Sequence, residues 1–132
     1  MAGHLICERL THSYGSVAAL DEISFSCASG EIVALIGRTG CGKSSILRAV
    51  AGVLTPDSGT ITIDGSSVAT TAGLSAYMPQ HDTLLPWRSA LDNAIFGAQL
   101  GGSDMATTRP RAETLFTRFG LGGFERSWPH QL

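Results

Sequence analysis

Gly37-Arg38-Thr39-Gly40-Cys41-Gly42-Lys43-Ser44 satisfies the phosphate-binding pattern G-x-x-x-x-G-K-[ST] at every fixed position. The chemistry this predicts is capture of a nucleoside triphosphate through its phosphates. Glycines at 37, 40 and 42 let the backbone turn tightly and come close to a ligand. Amides of residues 40 to 45 then point at the β-phosphate, and the positive end of the following helix adds to the field. Lys43 bridges β- and γ-phosphate oxygens in this reading, and the Ser44 hydroxyl is a ligand of Mg²⁺. Lys43 is the single lysine among nine basic residues, a slim point charge in a chain that otherwise uses arginine.

Such a loop works only between a strand and a helix. Glu31 to Ile36 is a short apolar run rich in β-branched residues, which predicts a strand buried on both faces, as in a parallel sheet. Lys43 to Ala51 carries apolar residues at 46, 47, 50 and 51, and Gly52 supplies a helix stop. Upstream, Leu5–Leu10 and Ile23–Cys27 read as strands, with a turn at His12–Gly15. Downstream, Thr55–Gly59 is a turn, Thr60–Ile63 a strand and Asp64-Gly65 a hairpin turn. Residues 66–76 read as a loop, and Ala76–Met78 as a short strand ended by Pro79. The second half is helical. Ser89-Ala90-Leu91-Asp92 opens a helix that ends at Gly101-Gly102, and another runs from about Thr108–Pro110 to Phe119 with Gly120 as its cap.

At 132 residues, 43% hydrophobic and 15% charged, the chain is at most one ordinary globular domain. A net charge of −2 gives no footprint for nucleic acid or an anionic membrane surface. Met1-Ala2-Gly3-His4 lacks a basic stretch followed by an apolar one, so no signal peptide is expected. Cysteines 7, 27 and 41 have no metal-type spacing and read as reduced thiols of a cytosolic protein. Cys41 reads either as a small residue that fits the loop or as a thiol open to alkylation there.

Four segments, in order, resemble the ATP-binding subunit of an ABC transporter. Thr11-His12-Ser13-Tyr14-Gly15 with Ala19 to Phe25 is similar to the family's opening β-subdomain. Gly30 to Gly37 leads into the phosphate loop, Gly59 to Gly65 resembles the hairpin after its helix, and Tyr77-Met78-Pro79-Gln80 resembles the Q-loop. The implied fold is α/β: a P-loop NTPase core of ABC type with an N-terminal antiparallel β-subdomain and a partial helical subdomain. The chain then forms the N-terminal part of one such domain, a β-rich nucleotide-binding core over about 1–80 and the Q-loop with part of the helical subdomain over about 81–132.

The resemblance assigns Tyr14 to stacking on adenine. Gly37, Arg38, Thr39, Gly40, Cys41, Gly42, Lys43, Ser44 and Ser45 become the nucleotide-binding loop. Gln80 becomes a second Mg²⁺ ligand that touches the attacking water, so Lys43 and Gln80 carry catalysis. Arg38 either adds charge near the phosphates or points to solvent. Leu84-Leu85-Pro86-Trp87 resembles importers of the nitrate, sulfonate, taurine and pyrimidine-precursor group. Trp87 and its leucines read equally as core or as the lining of a groove for a helix of the membrane subunit.

The implied activity is hydrolysis of MgATP by a dimer, coupled to solute import through two membrane-spanning permease subunits on the cytoplasmic face of the inner membrane. Trp128 to Leu132 resembles the lead-in to the family's signature run, with Leu132 at its first position. The signature, the acidic strand and the switch histidine of the family are therefore outside this sequence. The expectation is that this chain on its own folds poorly and does not turn over ATP. The alternatives are a non-catalytic nucleotide-binding module or gene fragment, and another P-loop enzyme such as a small kinase.

Overall fold

The computed structural model describes residues 3–71 and 73–132, which divide into two compact units, Met1–Met78 and Pro79–Leu132. The first is built on a four-stranded antiparallel sheet of order β2-β1-β3-β4, with β1 at Leu5–Tyr14, β2 at Val17–Cys27, β3 at Ser58–Ile63 and β4 at Ser66–Ser67. In the register of β1 with β2, Leu5 faces Cys27 and Tyr14 faces Val17; with β3, Leu5 faces Ile63 and Thr11 faces Ser58. Helix α1, Lys43–Val50, packs one face on this sheet. Cys7, Leu10, Leu20, Ile46, Ala49 and Ile61 form the core between them. Ile46 and Ala49 lie three residues apart, the spacing that puts them on one helical face.

The first two strands run further than their apolar patterns indicate. β1 continues through the expected turn to Tyr14, and the chain reverses at Gly15 and Ser16 instead. The pairing of Tyr14 with Val17 extends the ladder, and that tertiary pairing overrides the local turn signal. The Asp64-Gly65 hairpin forms as expected, with both residues in the left-handed region, and it creates a short β4 where a loop was expected.

Two expected strands are absent among the described residues. Residues 31–36 form no strand, and Ile32 and Ile36 are 96% and 94% exposed. A strand is held by its ladder, and every recorded strand pairing is within the β2-β1-β3-β4 sheet. Residues 76–78 likewise form no strand, for the same reason.

The second unit is helical: α2 at Ala90–Ala94, α3 at Phe96–Leu100, α4 at Met105–Arg118 and a 3₁₀ turn at Pro129–Gln131. Ala90, Leu91, Ile95 and Phe116 are its buried core, with Met105 and Ala112 packed against them. Ser89 caps α2, its hydroxyl accepting from the Asp92 amide at 3.2 Å, but the single helix expected to Gly101 is interrupted at Ile95. Helix α4 starts three residues before Thr108 because Asp104 caps it, its carboxylate accepting from the Ala106 amide at 3.0 Å. Pro110 therefore sits inside the helix rather than at its first turn.

Candidate nucleotide-binding site

The first unit gathers most of the expected site at the start of α1. Gly42 is the residue before the helix, at φ +91°. A β-carbon there would strike the backbone carbonyl oxygen of Ala19 and lie 3.2 Å from Leu20 Cδ2. Both neighbours belong to β2, so only glycine lets the loop lie directly on the sheet. Gly40 is also left-handed, at φ +83°, but faces open space.

Lys43 closes the loop from inside. Its Nζ donates to the carbonyls of Gly37 and Arg38, each at 2.7 Å, and lies 3.5 Å from Cys41 Sγ. The ammonium is thus held across the loop mouth, where an anion would meet it. The first-turn amides of α1 have no carbonyl four residues back within the helix. No turn carbonyl takes up the amides of residues 43 to 45 among the described residues. One ammonium and a fan of amides at a helix start form a site suited to a phosphate group. Gly37, Arg38, Thr39, Gly40, Cys41 and Ser44 are all exposed along this loop. Ser44 offers an exposed hydroxyl, a hard oxygen of the kind Mg²⁺ accepts alongside substrate oxygens and water.

Ser45 differs from its neighbours. It is buried, and its hydroxyl lies 3.4 Å from the Tyr14 hydroxyl, so its side chain faces the end of β1. What it can offer a phosphate is its amide. Tyr14 remains 48% exposed, open enough to receive a flat ring. One turn along α1 stands Arg48, whose guanidinium is held in its charged form by the hydroxyls of Tyr77 and then Tyr14. Arg48 carries no motif signal; its spacing of three from Ser45 is the only hint in the sequence.

Gln80 belongs to the second unit and is exposed there. In that unit Trp87 is 69% exposed, which removes the reading of it as core. Asn93 holds the turn that presents it: Nδ2 donates to the carbonyls of Leu85, Arg88 and Ser89 at 3.0–3.1 Å, and Oδ1 accepts from the Leu85 amide at 2.7 Å. A groove of about 530 Å³ runs past Trp87, Arg88, Asp92, Gln99, Arg109 and Trp128. Asp92 is tied to Arg109 at 2.7 Å, and its carboxyl is held below the ordinary range first by the Ser89 hydroxyl and then by Arg109.

Known proteins place this arrangement. The taurine import ATP-binding protein of Yersinia pestis bv. Antiqua is 38% identical over 119 residues, covering 90% of this chain and 47% of that protein. The formylaminopyrimidine import ATP-binding protein of Halalkalibacterium halodurans is 35% identical over 129 residues, covering 97% of this chain and 49% of that one. The chain thus spans about half the length of the curated relatives it matches. Among solved structures, an ATP-binding subunit of an ABC transporter superposes with a TM-score of 0.83 at 28% identity, over 97% of this chain and 55% of that one. A dimeric ATP-binding cassette bound to ADP and Pi shares the fold at a TM-score of 0.82 and 23% identity, over 97% of this chain and 62% of its own. The sheet and helices described above are accordingly an α/β fold of the ABC ATPase type. The sequence profile described as ABC transporter matches residues 20–132, from β2 through the phosphate loop to the last residue, and the chain belongs to that family.

Proposed function

We propose that this chain is part of the ATP-binding subunit of an ABC importer, which couples binding and hydrolysis of MgATP to movement of a small solute. The observation that carries this is Lys43, its ammonium held over a glycine loop that feeds directly into α1. The relatives' names, import ATP-binding proteins in each case, support the importer class.

The loop from Gly37 to Ser45 would cradle the phosphates through its amides, while Lys43 exchanges its carbonyl partners for phosphate oxygens. Tyr14 would stack on the adenine, a contact worth on the order of 1–3 kcal/mol and tolerant of base identity. Ser44 and Gln80 would hold Mg²⁺, which supplies charge neutralisation at the phosphate oxygens when bound. Gln80 would also orient the attacking water. The unit up to Met78 is then the nucleotide-binding core, and the unit from Pro79 the start of the helical subdomain.

The exposed Trp87 and the groove beside it would receive a helix of the membrane-spanning permease subunits. Tryptophan and arginine are the residues most often found anchoring interfaces. Among the described residues no helix is long and apolar enough to cross a membrane. A second ATP-binding subunit would complete the working dimer.

The direct test is steady-state ATP turnover by the full-length gene product reconstituted with its permease. Lys43→Ala and Gln80→Ala are each expected to lower kcat at least tenfold. Turnover unchanged by Lys43→Ala would refute the assignment. Nucleotide binding without turnover in the unmutated complex would mark a binding module instead.

A further inference from the structure

His12 and Asp57 play no part in the function proposed above, yet they form the most constrained polar group near Tyr14. The His12 side chain is 12% exposed, and its Nδ1 lies 3.2 Å from Asp57 Oδ1. That nitrogen is buried and makes no aligned hydrogen bond, so the ring lies against the Asp57 carboxylate in close polar contact.

Asp57 is itself pinned. Its Oδ2 accepts from the Ser13 amide at 2.8 Å, and its own amide donates to the Thr11 carbonyl at 2.8 Å. These two bonds bracket His12 in the chain. The His12 ring stands perpendicular to the Tyr14 ring, at 88°, with centroids 4.7 Å apart. His12 and Tyr14 are two residues apart on β1 and share one face of the strand. At its far end, the Tyr14 hydroxyl meets Ser45 at 3.4 Å. A perpendicular neighbour and a contact at the tip restrict both torsions of Tyr14, while half of the side chain stays open. Packing alone does not account for His12, since the core of this unit is Cys7, Leu10, Leu20, Ile46, Ala49 and Ile61.

We infer that His12, held by Asp57, is a positioning residue that presets the Tyr14 ring to receive the nucleobase. This rests on the reading of Tyr14 as the base platform. A preset ring loses less freedom when the ligand arrives, so His12 acts on base affinity and not on phosphate affinity.

The test compares two probes on the full-length gene product, MgATP and Mg-tripolyphosphate, the second having the phosphates without a base. His12→Ala is expected to weaken MgATP by about three- to tenfold, the range of one aromatic pair. Tripolyphosphate affinity is expected to stay within about twofold, and His12→Phe, which keeps a ring beside Tyr14, to recover most of the loss. Equal weakening of both probes would mean a general structural role and would overturn the inference, as would unchanged MgATP affinity. Should His12→Ala fail to fold, Asp57→Asn carries the same test, with selective weakening of MgATP expected and no change overturning the inference. Tyr14→Ala separates the two levels. If it leaves the ratio of the two affinities unchanged, the platform reading falls and the inference with it. If it moves the ratio while His12→Ala does not, only the role of His12 is refuted.

Discussion

Replacing Gly42 with alanine should be the most damaging single-methyl change in the phosphate loop, and Gly40→Ala is its internal control. Both residues are left-handed, at φ +91° and +83°, so both pay a similar conformational penalty, about 1–2 kcal/mol for a residue with a β-carbon. They differ in what the methyl meets. At Gly40 it meets nothing within 4 Å. At Gly42 it strikes the Ala19 carbonyl and crowds Leu20, which is 3% exposed and part of the core beneath α1. Neither neighbour is a loose side-chain end, so β2 or α1 must shift. Overpacking of this kind costs about 1–3 kcal/mol beyond the backbone term. Gly42→Ala is therefore expected to destabilise the unit by about 2–5 kcal/mol and Gly40→Ala by about 1–2. Amide hydrogen exchange of α1 and β2 in the full-length gene product measures the difference locally. Faster exchange in both elements for Gly42→Ala, with near-native rates for Gly40→Ala, is the predicted result. Equal protection in the two variants would refute the claim that contact with β2, rather than φ alone, demands glycine at 42.

Three further outcomes follow from the described geometry. Cys41 is exposed, whereas Cys7 is buried and its thiol is pushed up to about 11 by that burial, so maleimide at pH 7.5 should label Cys41 rapidly and leave Cys7 unmodified until the protein is unfolded; early labelling of Cys7 on peptide mapping would contradict the packing. Asp92 has a folded pKa below the ordinary aspartate value of about 3.9, so its contribution is fully present above that value and lost as pH falls through the lowered one. Asp92→Asn should accordingly lower stability at neutral pH and flatten the acid limb of the second unit's unfolding profile, and an acid limb of unchanged steepness would count against it. Asn93→Ala should free the turn carrying Trp87, seen as a loss of Trp87 fluorescence anisotropy in a Trp128→Phe background.

The phosphate loop was legible because its requirements are local: three glycines, a lysine and a serine at fixed spacing determine what the backbone can do there. Helix α1, the Asp64-Gly65 hairpin and the Ser89 cap were readable for the same reason. Residues 31–36 show the opposite case. Their β-branched run is a sound strand signal, yet strand formation depends on a neighbour's ladder, which no property of those six residues supplies. Tyr14 had a meaning through resemblance, but its surroundings came only from tertiary structure. His12 looked like a turn residue, and Asp57 lies 45 positions from it in the chain. The extension of β1 to Tyr14 brings them together, and nothing in their spacing announced it. Arg48 was hidden likewise, as one more polar residue on the exposed side of α1.

The loop over which Lys43 is held is proposed as a triphosphate site. Isothermal titration of MgATP into the full-length gene product decides whether it is one. Saturable binding of one nucleotide per subunit, weakened at least tenfold by Lys43→Ala while the far-ultraviolet circular dichroism spectrum is unchanged, is the predicted result. MgATP binding with the same affinity in both proteins, or none in the unmutated one, would contradict it.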